Sequence, residues 1–329
     1  MAFCNFSAYP LCKKENKMAA PKKYRLVTRS DFDGLVCAIL LKELKLINEI
    51  VFVHPKDMQD GKIPITENDI TTNLPYVPGA YLVFDHHASE ALRNAEKHPD
   101  NYILEPETPS AARVVYNYYG GKKTFPHVNE TMLSAVDKAD SAKFTREEIL
   151  FPKDWVLLNY IMDPRTGLGR YKKFRISNYD LMMLLIDDCK RYSIEQVLNL
   201  PDVRERVDLY FEHQRLSMDQ IEQCAKIHDN AVVLDLRQQE QIYTVNRFIV
   251  YAMYPECNIS IHIMWGLQKQ NTVFAMGSSI LNRSSKTHVG KLMLNYGGGG
   301  HEKAGTCQIS NDRSEQVLAE LIQQVNKDG

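Results

Sequence analysis

Asp85, His86 and His87 follow the apolar run Tyr81-Leu82-Val83-Phe84. One carboxylate and two imidazoles where a buried strand ends are groups that hold metals and protons. The carboxyl edge of an open α/β sheet is where such folds place their ligands. Two further segments supply carboxylates. Ser30-Asp31-Phe32-Asp33-Gly34 follows another apolar stretch, 24–27. In extended backbone, positions i and i+2 point the same way, so Asp31 and Asp33 share a side, and Gly34 lets the chain turn into a helix. The plainer reading of this pair is a helix N-cap. Asp140-Ser141-Ala142-Lys143-Phe144 adds another carboxylate, with Asp137 one helical turn earlier. Hard divalent ions favour carboxylates, and imidazole suits a transition metal. Two ions about 3.5–4 Å apart can clamp an in-line phosphoryl displacement. Near the end stand Gly297-Gly298-Gly299-Gly300-His301. Such a run lets backbone approach an anion closely, its N–H groups can form an anion-binding nest, and His301 sets an imidazole beside it. A flexible turn is the plainer reading.

The elements that must position these groups are legible in outline. Strands are expected at 24–28, 49–53 and 81–84, with a helix buried nearly all round at 35–44. Helices are expected at 110–119 and 129–140, and strands alternating with helices imply a mostly parallel sheet. Residues 146–228 read as mainly helical, with long periods over 179–200 and 203–227 separated by Pro201. Strands are expected at 231–234, 248–253, 258–265 and 272–277, and an edge strand at 308–309. Helices are expected at 289–295 and 314–325. The expected organisation is an extension, 1–21, without regular structure; a metal-binding domain, 22–145; a helical connector, 146–228; and a smaller α/β substrate-binding domain, 229–329. Met18, after Lys13, Lys14 and Lys17, reads as a natural start.

The chain has 329 residues, 25% of them charged, with a formal net charge of −1. That is ordinary for a soluble globular protein, and the lack of a basic excess argues against long nucleic acid as a standing partner. No run approaches the length of a membrane span. Seven cysteines, none in C-x-x-C, fit reduced thiols in a cytoplasmic protein. Cys37 reads as core, and Trp265 as packing rather than a base platform.

The ordered set D-x-D-G, D-H-H, D-S-x-x-F and G-G-G-H resembles the DHH–DHHA1 phosphoesterases, a superfamily with RecJ-like exonucleases, nanoRNases, cyclic-dinucleotide phosphodiesterases and exopolyphosphatases. In style the chain is closest to the exopolyphosphatase-like branch. The resemblance implies that Asp31, Asp33, His86 and Asp140 hold one or two Mn²⁺ or Mg²⁺ ions, and that Asp85 orients its neighbours. It implies that His87 faces the substrate and that Gly298, Gly299, Gly300 and His301 bind a phosphate or nucleotide. Arg283, in an R-S segment, is the expected second phosphate clamp, with Lys286 and His288 flanking it. The chain departs from the pattern where relatives carry His, at Val27 and Arg29, and where they carry Asp, at Asn73. Asn73 or Asp69 is then the bridging ligand, and Arg29 a catalytic phosphate-holding cation.

The activity so implied is hydrolysis of a phosphoester or phosphoanhydride bond by in-line attack of a metal-bound hydroxide. The substrate is small and phosphate-rich: a short single-stranded oligonucleotide, a linear or cyclic dinucleotide, 3′-phosphoadenosine 5′-phosphate or polyphosphate. No long duplex and no membrane is expected as partner, and a homodimer through the helical region is one assembly the apolar content allows. The alternative is a nucleotide-binding regulator on a metal-depleted scaffold, motivated by Val27, Arg29 and Asn73.

Overall fold

The computed structural model describes residues 22–87, 99–171 and 173–329; the expected extension 1–21 lies outside them. The first sheet has five strands, β1 (Tyr24–Arg29), β2 (Ile47–Val53), β3 (Asp69–Thr72), β4 (Leu82–Asp85) and β5 (Tyr102–Leu104), in the order β2-β1-β3-β4-β5. Every pairing is parallel, so all five carboxyl ends lie along one edge. The crossovers include α1 (Phe32–Glu43) and α2 (Pro55–Gln59), and α3 (Ala111–Tyr118) and α4 (Glu130–Asp140) follow the last strand. Helix α1 is buried from Phe32 to Leu41, which is why its sequence is apolar all round.

Helices α5 (Arg146–Leu150), α6 (Asp154–Met162), α7 (Asn178–Arg191), α8 (Ile194–Leu198) and α9 (Pro201–Cys224) come next. The apolar period expected over 179–200 is two helices here, because Ser193 caps a new one through a reciprocal bond with Gln196. These helices do not stand apart from the first sheet. One continuous core joins Leu26, Leu40 and Phe84 to Leu158, Tyr160 and Tyr210, and extends to Val250 and Cys257.

The second sheet has six strands: β6 (Ala225–His228), β7 (Ala231–Asp235), β8 (Ile259–Trp265), β9 (Thr272–Ser278), β10 (Gly299–His301) and β11 (Ala304–Ile309). Their order is β10-β11-β9-β8-β7-β6, and only β7 and β8 run parallel. Residues 248–253, expected as a strand, form helix α10 (Ile249–Met253). A short apolar run fits either element by period, and here all four of Ile249, Val250, Tyr251 and Ala252 are buried against the first core. Two more helices follow, α11 (Val289–Leu294) and α12 (Ser314–Asp328). Alternate residues of β8, Ile259, Ile261 and Ile263, meet Val317, Leu321 and Val325 of α12 in a separate core. A third, small cluster of Val27, Val53, Met58 and Leu74 sits under the β2–α2 turn.

No helix among the described residues is long and apolar enough to cross a membrane. Five cysteines among them are free thiols, Cys37 and Cys257 included.

Candidate metal centre and substrate cleft

The carboxyl end of β1 delivers the first acids. The Asp31 amide donates to the Arg29 carbonyl in a tight turn, 3.0 Å, and Asp31 Oδ1 accepts from the Gly34 amide, 3.0 Å. The N-cap reading therefore holds for Asp31. Glycine at 34 is required by contact. A Cβ there would lie 2.0 Å from the Arg29 carbonyl oxygen, so only glycine lets α1 start against its own strand. Asp33, in the first turn of α1, accepts from the amides of Ala111, 2.9 Å, and Ala112, 2.7 Å. The first turn of α3 thus holds both of its oxygens.

Strand β4 delivers the imidazoles. Asp85 is fully buried. Its Oδ1 accepts from the His86 amide, 2.9 Å, and lies 2.7 Å from His87 Nδ1, so it orients both neighbours. His86 Nδ1 lies 3.2 Å from the Thr108 carbonyl oxygen. A carbonyl only accepts, so in the neutral ring this nitrogen carries the proton and Nε2 keeps a lone pair, as in metal-binding histidines. His86 Nε2 stands 2.6 Å from Asp140 Oδ2, at the end of α4, and 4.0 Å from Asp33 Oδ2. Asn73, just past β3 with a left-handed φ of 55° that asparagine tolerates, donates from Nδ2 to Asp31 Oδ1, 3.2 Å. Arg29 Nε meets Asp31 Oδ2 at 2.9 Å.

The electrostatics describe an acid cluster lacking sufficient positive charge. Burial, and then Asp140, push Asp33 up to about 7. Burial also raises Asp31, against the pull of Arg29. Burial opposes charge on His86, yet Asp140 and Asp33 lift it to about 9. Burial likewise opposes charge on Asp140, but His86 holds it below the ordinary carboxylate value. Asn73 Oδ1 is buried without a hydrogen-bond partner among the described residues. His86, His87 and Asp140 each offer a ligand atom within 4.8 Å of the others. Beside them a cavity of about 10 Å³ is lined by Asp31, Asp33 and Asp140, space on the scale of one water. These residues fit a divalent cation.

Asp69 is excluded as a bridging ligand. It lies at the start of β3, paired in register with Arg25 and bonded to it at 2.6 Å, at the opposite edge of the sheet. Asp137 is likewise engaged elsewhere, by Ser110 and Arg113. At the substrate end, Gly299, Gly300 and His301 are an edge strand rather than a nest-forming turn. A Cβ on Gly298 would come 2.1 Å from the Thr306 carbonyl oxygen, and one on Gly300 2.2 Å from that of Ala304, so those glycines permit close pairing with β11. His301 lines a cavity of about 480 Å³ together with Arg29, Asn73 and His87. Arg283 does not line that cavity. Its guanidinium donates to the carbonyls of Ile280, 3.0 Å, and Ala142, 2.9 Å, tying the second half to the loop after Asp140. Lys286 and His288 line a different, shallow hollow. Trp265 donates to the Arg237 carbonyl, 2.8 Å, and packs beside that residue.

Two arginines escaped the sequence reading. Asp163 accepts from the Arg165 amide and from its Nε, 2.9 and 2.7 Å, and Arg165 lines both the large cavity and the acid cavity. Arg247 reaches the acid cavity as well; burial, then Arg165, lower it to about 10. The one local signal was Asp163-Pro164-Arg165-Thr166-Gly167, an Asp cap, a proline and a left-handed glycine, set in a helical stretch.

A pGpG-specific phosphodiesterase, PggH from Vibrio cholerae, is 61% identical to this chain over 93% of it and 100% of its own length, with a TM-score of 0.86. The chain belongs to the DHH–DHHA1 phosphoesterases. Two distant structures share the fold of this DHH–DHHA1 phosphoesterase. RecJ from Thermus thermophilus, in complex with Mn²⁺, is 13% identical over 93% of the chain and 52% of its own, with a TM-score of 0.52. CDC45 from Entamoeba histolytica is 11% identical over 92% of the chain and 95% of its own, with a TM-score of 0.51. No protein-family model and no curated protein matches the sequence. The DHH–DHHA1 protein is an enzyme, a metal-dependent phosphohydrolase of a small phosphate-rich substrate.

Proposed function

We propose that the chain hydrolyses the linear dinucleotide pGpG to two molecules of GMP. The observation that carries this reading is its 61% identity, across 93% of its length, to an enzyme specific for that substrate. Among the substrates compatible with the motifs, this favours the linear dinucleotide over polyphosphate. The cavity of about 480 Å³ also suits a small molecule rather than a duplex.

Asp31, Asp33, His86 and Asp140 would hold the divalent metal, Mn²⁺ or Mg²⁺, with Asn73 Oδ1 as a neutral oxygen ligand. When bound, it supplies Lewis acidity toward the phosphoryl group and lowers the pKa of water. The remaining steps belong to the chain. Arg29 is braced by Asp31 and Arg165 by Asp163, so both cations meet the scissile phosphate in fixed orientation, and the charge that builds on its oxygens is met without reorganisation. His87, anchored to Asp85 through Nδ1, turns Nε2 toward the cavity and hydrogen-bonds the phosphoryl group. Water forms the new P–O bond, the P–O3′ bond breaks, and the proton passes to the departing 3′ oxygen. His301 and the β10 edge hold the rest of the substrate, whose binding positions the reacting phosphate.

The test is GMP release from pGpG with Mn²⁺ and after chelation, beside cyclic dinucleotides, 3′-phosphoadenosine 5′-phosphate and polyphosphate, with Asp31→Ala/His86→Ala as control. Metal-dependent GMP release, absent from the control and strongest with pGpG, is expected. Faster turnover of polyphosphate or of a cyclic dinucleotide would overturn the assignment.

A further inference from the structure

The metal edge occupies one side of the large cavity. The end of β2 and the turn after β3 line it too: Phe52, Pro55, Leu74 and Pro75 form an apolar wall, with His54 and Gln59 beside them. Phe52, His54, Pro55 and Gln59 belong to none of the sequence motifs. The wall is braced, because Val53 and Leu74 are buried with Met58 and Val27 in the small third core. A cluster of this kind keeps the β2–α2 turn from collapsing into the cavity.

The polar margin has a defined hydrogen-bonding sense. The Lys56 amide donates to His54 Nδ1 at 3.1 Å. A nitrogen that accepts carries no proton, so in the neutral ring the proton sits on Nε2. Nε2 therefore offers a donor only, and it has no partner among the described residues. The Gln59 carboxamide is also unpartnered among them, and it offers both an acceptor and a donor.

We propose that this wall is a purine slot that selects guanine, with His54 Nε2–H donating to O6 and Gln59 reading the N1–H and 2-amino side. The inference rests on the reading of the substrate as a guanine dinucleotide. Guanine presents acceptors at O6 and N7, which suit a fixed donor. Adenine shares the N7 acceptor but puts an amino donor at position 6, so an imidazole N–H aimed at position 6 would face a donor and go unpaired. A site built around hydrogen bonds rejects an analogue that cannot make them far better than an apolar pocket does. The apolar wall takes either purine; His54 and Gln59 make the choice.

The experiment separates this inference from the substrate assignment by measuring binding and turnover apart. Calorimetry with GMP and AMP as probes uses the full chain in Mn²⁺, and hydrolysis of pGpG and pApA is followed in parallel. The unsubstituted protein is expected to bind GMP at least about tenfold more tightly than AMP. His54→Phe and Gln59→Leu keep the apolar wall, and each should bring that ratio to within about threefold, mainly by weakening GMP. Circular dichroism confirms that both variants fold. Inosine monophosphate, which lacks the 2-amino group, should lose affinity in the unsubstituted protein and much less in Gln59→Leu. Equal binding of GMP and AMP overturns the slot even if pGpG is cleaved. Preference kept in both variants overturns it as well. Discrimination between GMP and AMP without pGpG hydrolysis would leave the slot standing and sink the substrate assignment.

Discussion

The two sides of the cleft are built on different principles. On the first sheet, three acids have their positions set by backbone: Asp31 by the Gly34 amide, Asp33 by the start of α3, and Asp85 by the His86 amide, while Asp140 meets His86 Nε2 instead. These groups stand on one core that runs from β1 through the helices to Cys257. On the second sheet, the cleft is met by an edge strand almost without side chains, and His301 is its single ionisable group there. That sheet packs on its own core. The halves are joined by the first core, which Val232 and Leu234 of β7 enter, and by polar ties such as Arg283 to the Ala142 carbonyl, 2.9 Å. The difference separates two tasks. The metal edge is rigid because misplaced carboxylates lose the ion, whereas the glycine strand can lie close to a substrate because nothing projects from it.

That comparison is broken most severely at Asp33. Asp33→Ala should lower turnover of pGpG by about 10³-fold or more, in the range for removal of a catalytic metal or charge-stabilising group. It should also destabilise the fold by about 1–3 kcal/mol, because the Ala111 and Ala112 amides lose their acceptor. Kinetics and urea unfolding would check the pair. Turnover lost with stability unchanged would show that the backbone bonds do not brace the site.

Asp85→Ala probes the layer behind the ligands. It leaves Asp31, Asp33, His86 and Asp140 in place but frees both rings. Metal affinity, followed by Mn²⁺ titration, should fall about 10–100-fold. An unchanged titration would mean that the β4 backbone alone orients His86.

The second side is tested by Gly300→Val, whose Cβ would meet the Ala304 carbonyl oxygen at 2.2 Å. KM for pGpG should rise about tenfold or more as the β10–β11 hairpin shifts, while Mn²⁺ binding stays as before. Loss of metal along with substrate would show the two sides to be one mechanical unit. The smallest effect is expected at Arg283→Ala. Its bonds to two carbonyls are exposed, so stability should change by less than about 1 kcal/mol, and KM only a few-fold. A collapse of kcat there would restore Arg283 to the phosphate and move the cleft's boundary.

Much of the metal edge was legible from the chain alone. Asp31, Asp33 and Gly34 are neighbours, as are Asp85, His86 and His87, so a strand end followed by a turn suffices to place each group. Asp140 joined them through a motif, and its helix showed clear period. What was hidden depended on which distant segments meet. Arg165 and Arg247 are separated by 82 positions in the chain, yet both reach the acid cavity. Asp69 resembled a spare ligand until the register placed it at the wrong end of β3. Residues 248–253 carried an apolar run that suits a strand, and burial against the first core made it a helix.

By itself, then, the sequence determined the chemistry: carboxylates and imidazoles at strand ends, glycines near a histidine, and a parallel sheet whose carboxyl ends must share an edge. Those features are local, and local geometry follows from backbone sterics and periodicity. Only the tertiary structure decided which cations balance the acids, that Arg283 is a tie rather than a clamp, and that His54 and Gln59 line the same cavity as Arg29 and His87. Such choices arise from packing between segments far apart in the chain, where burial and charge compensation select the partners.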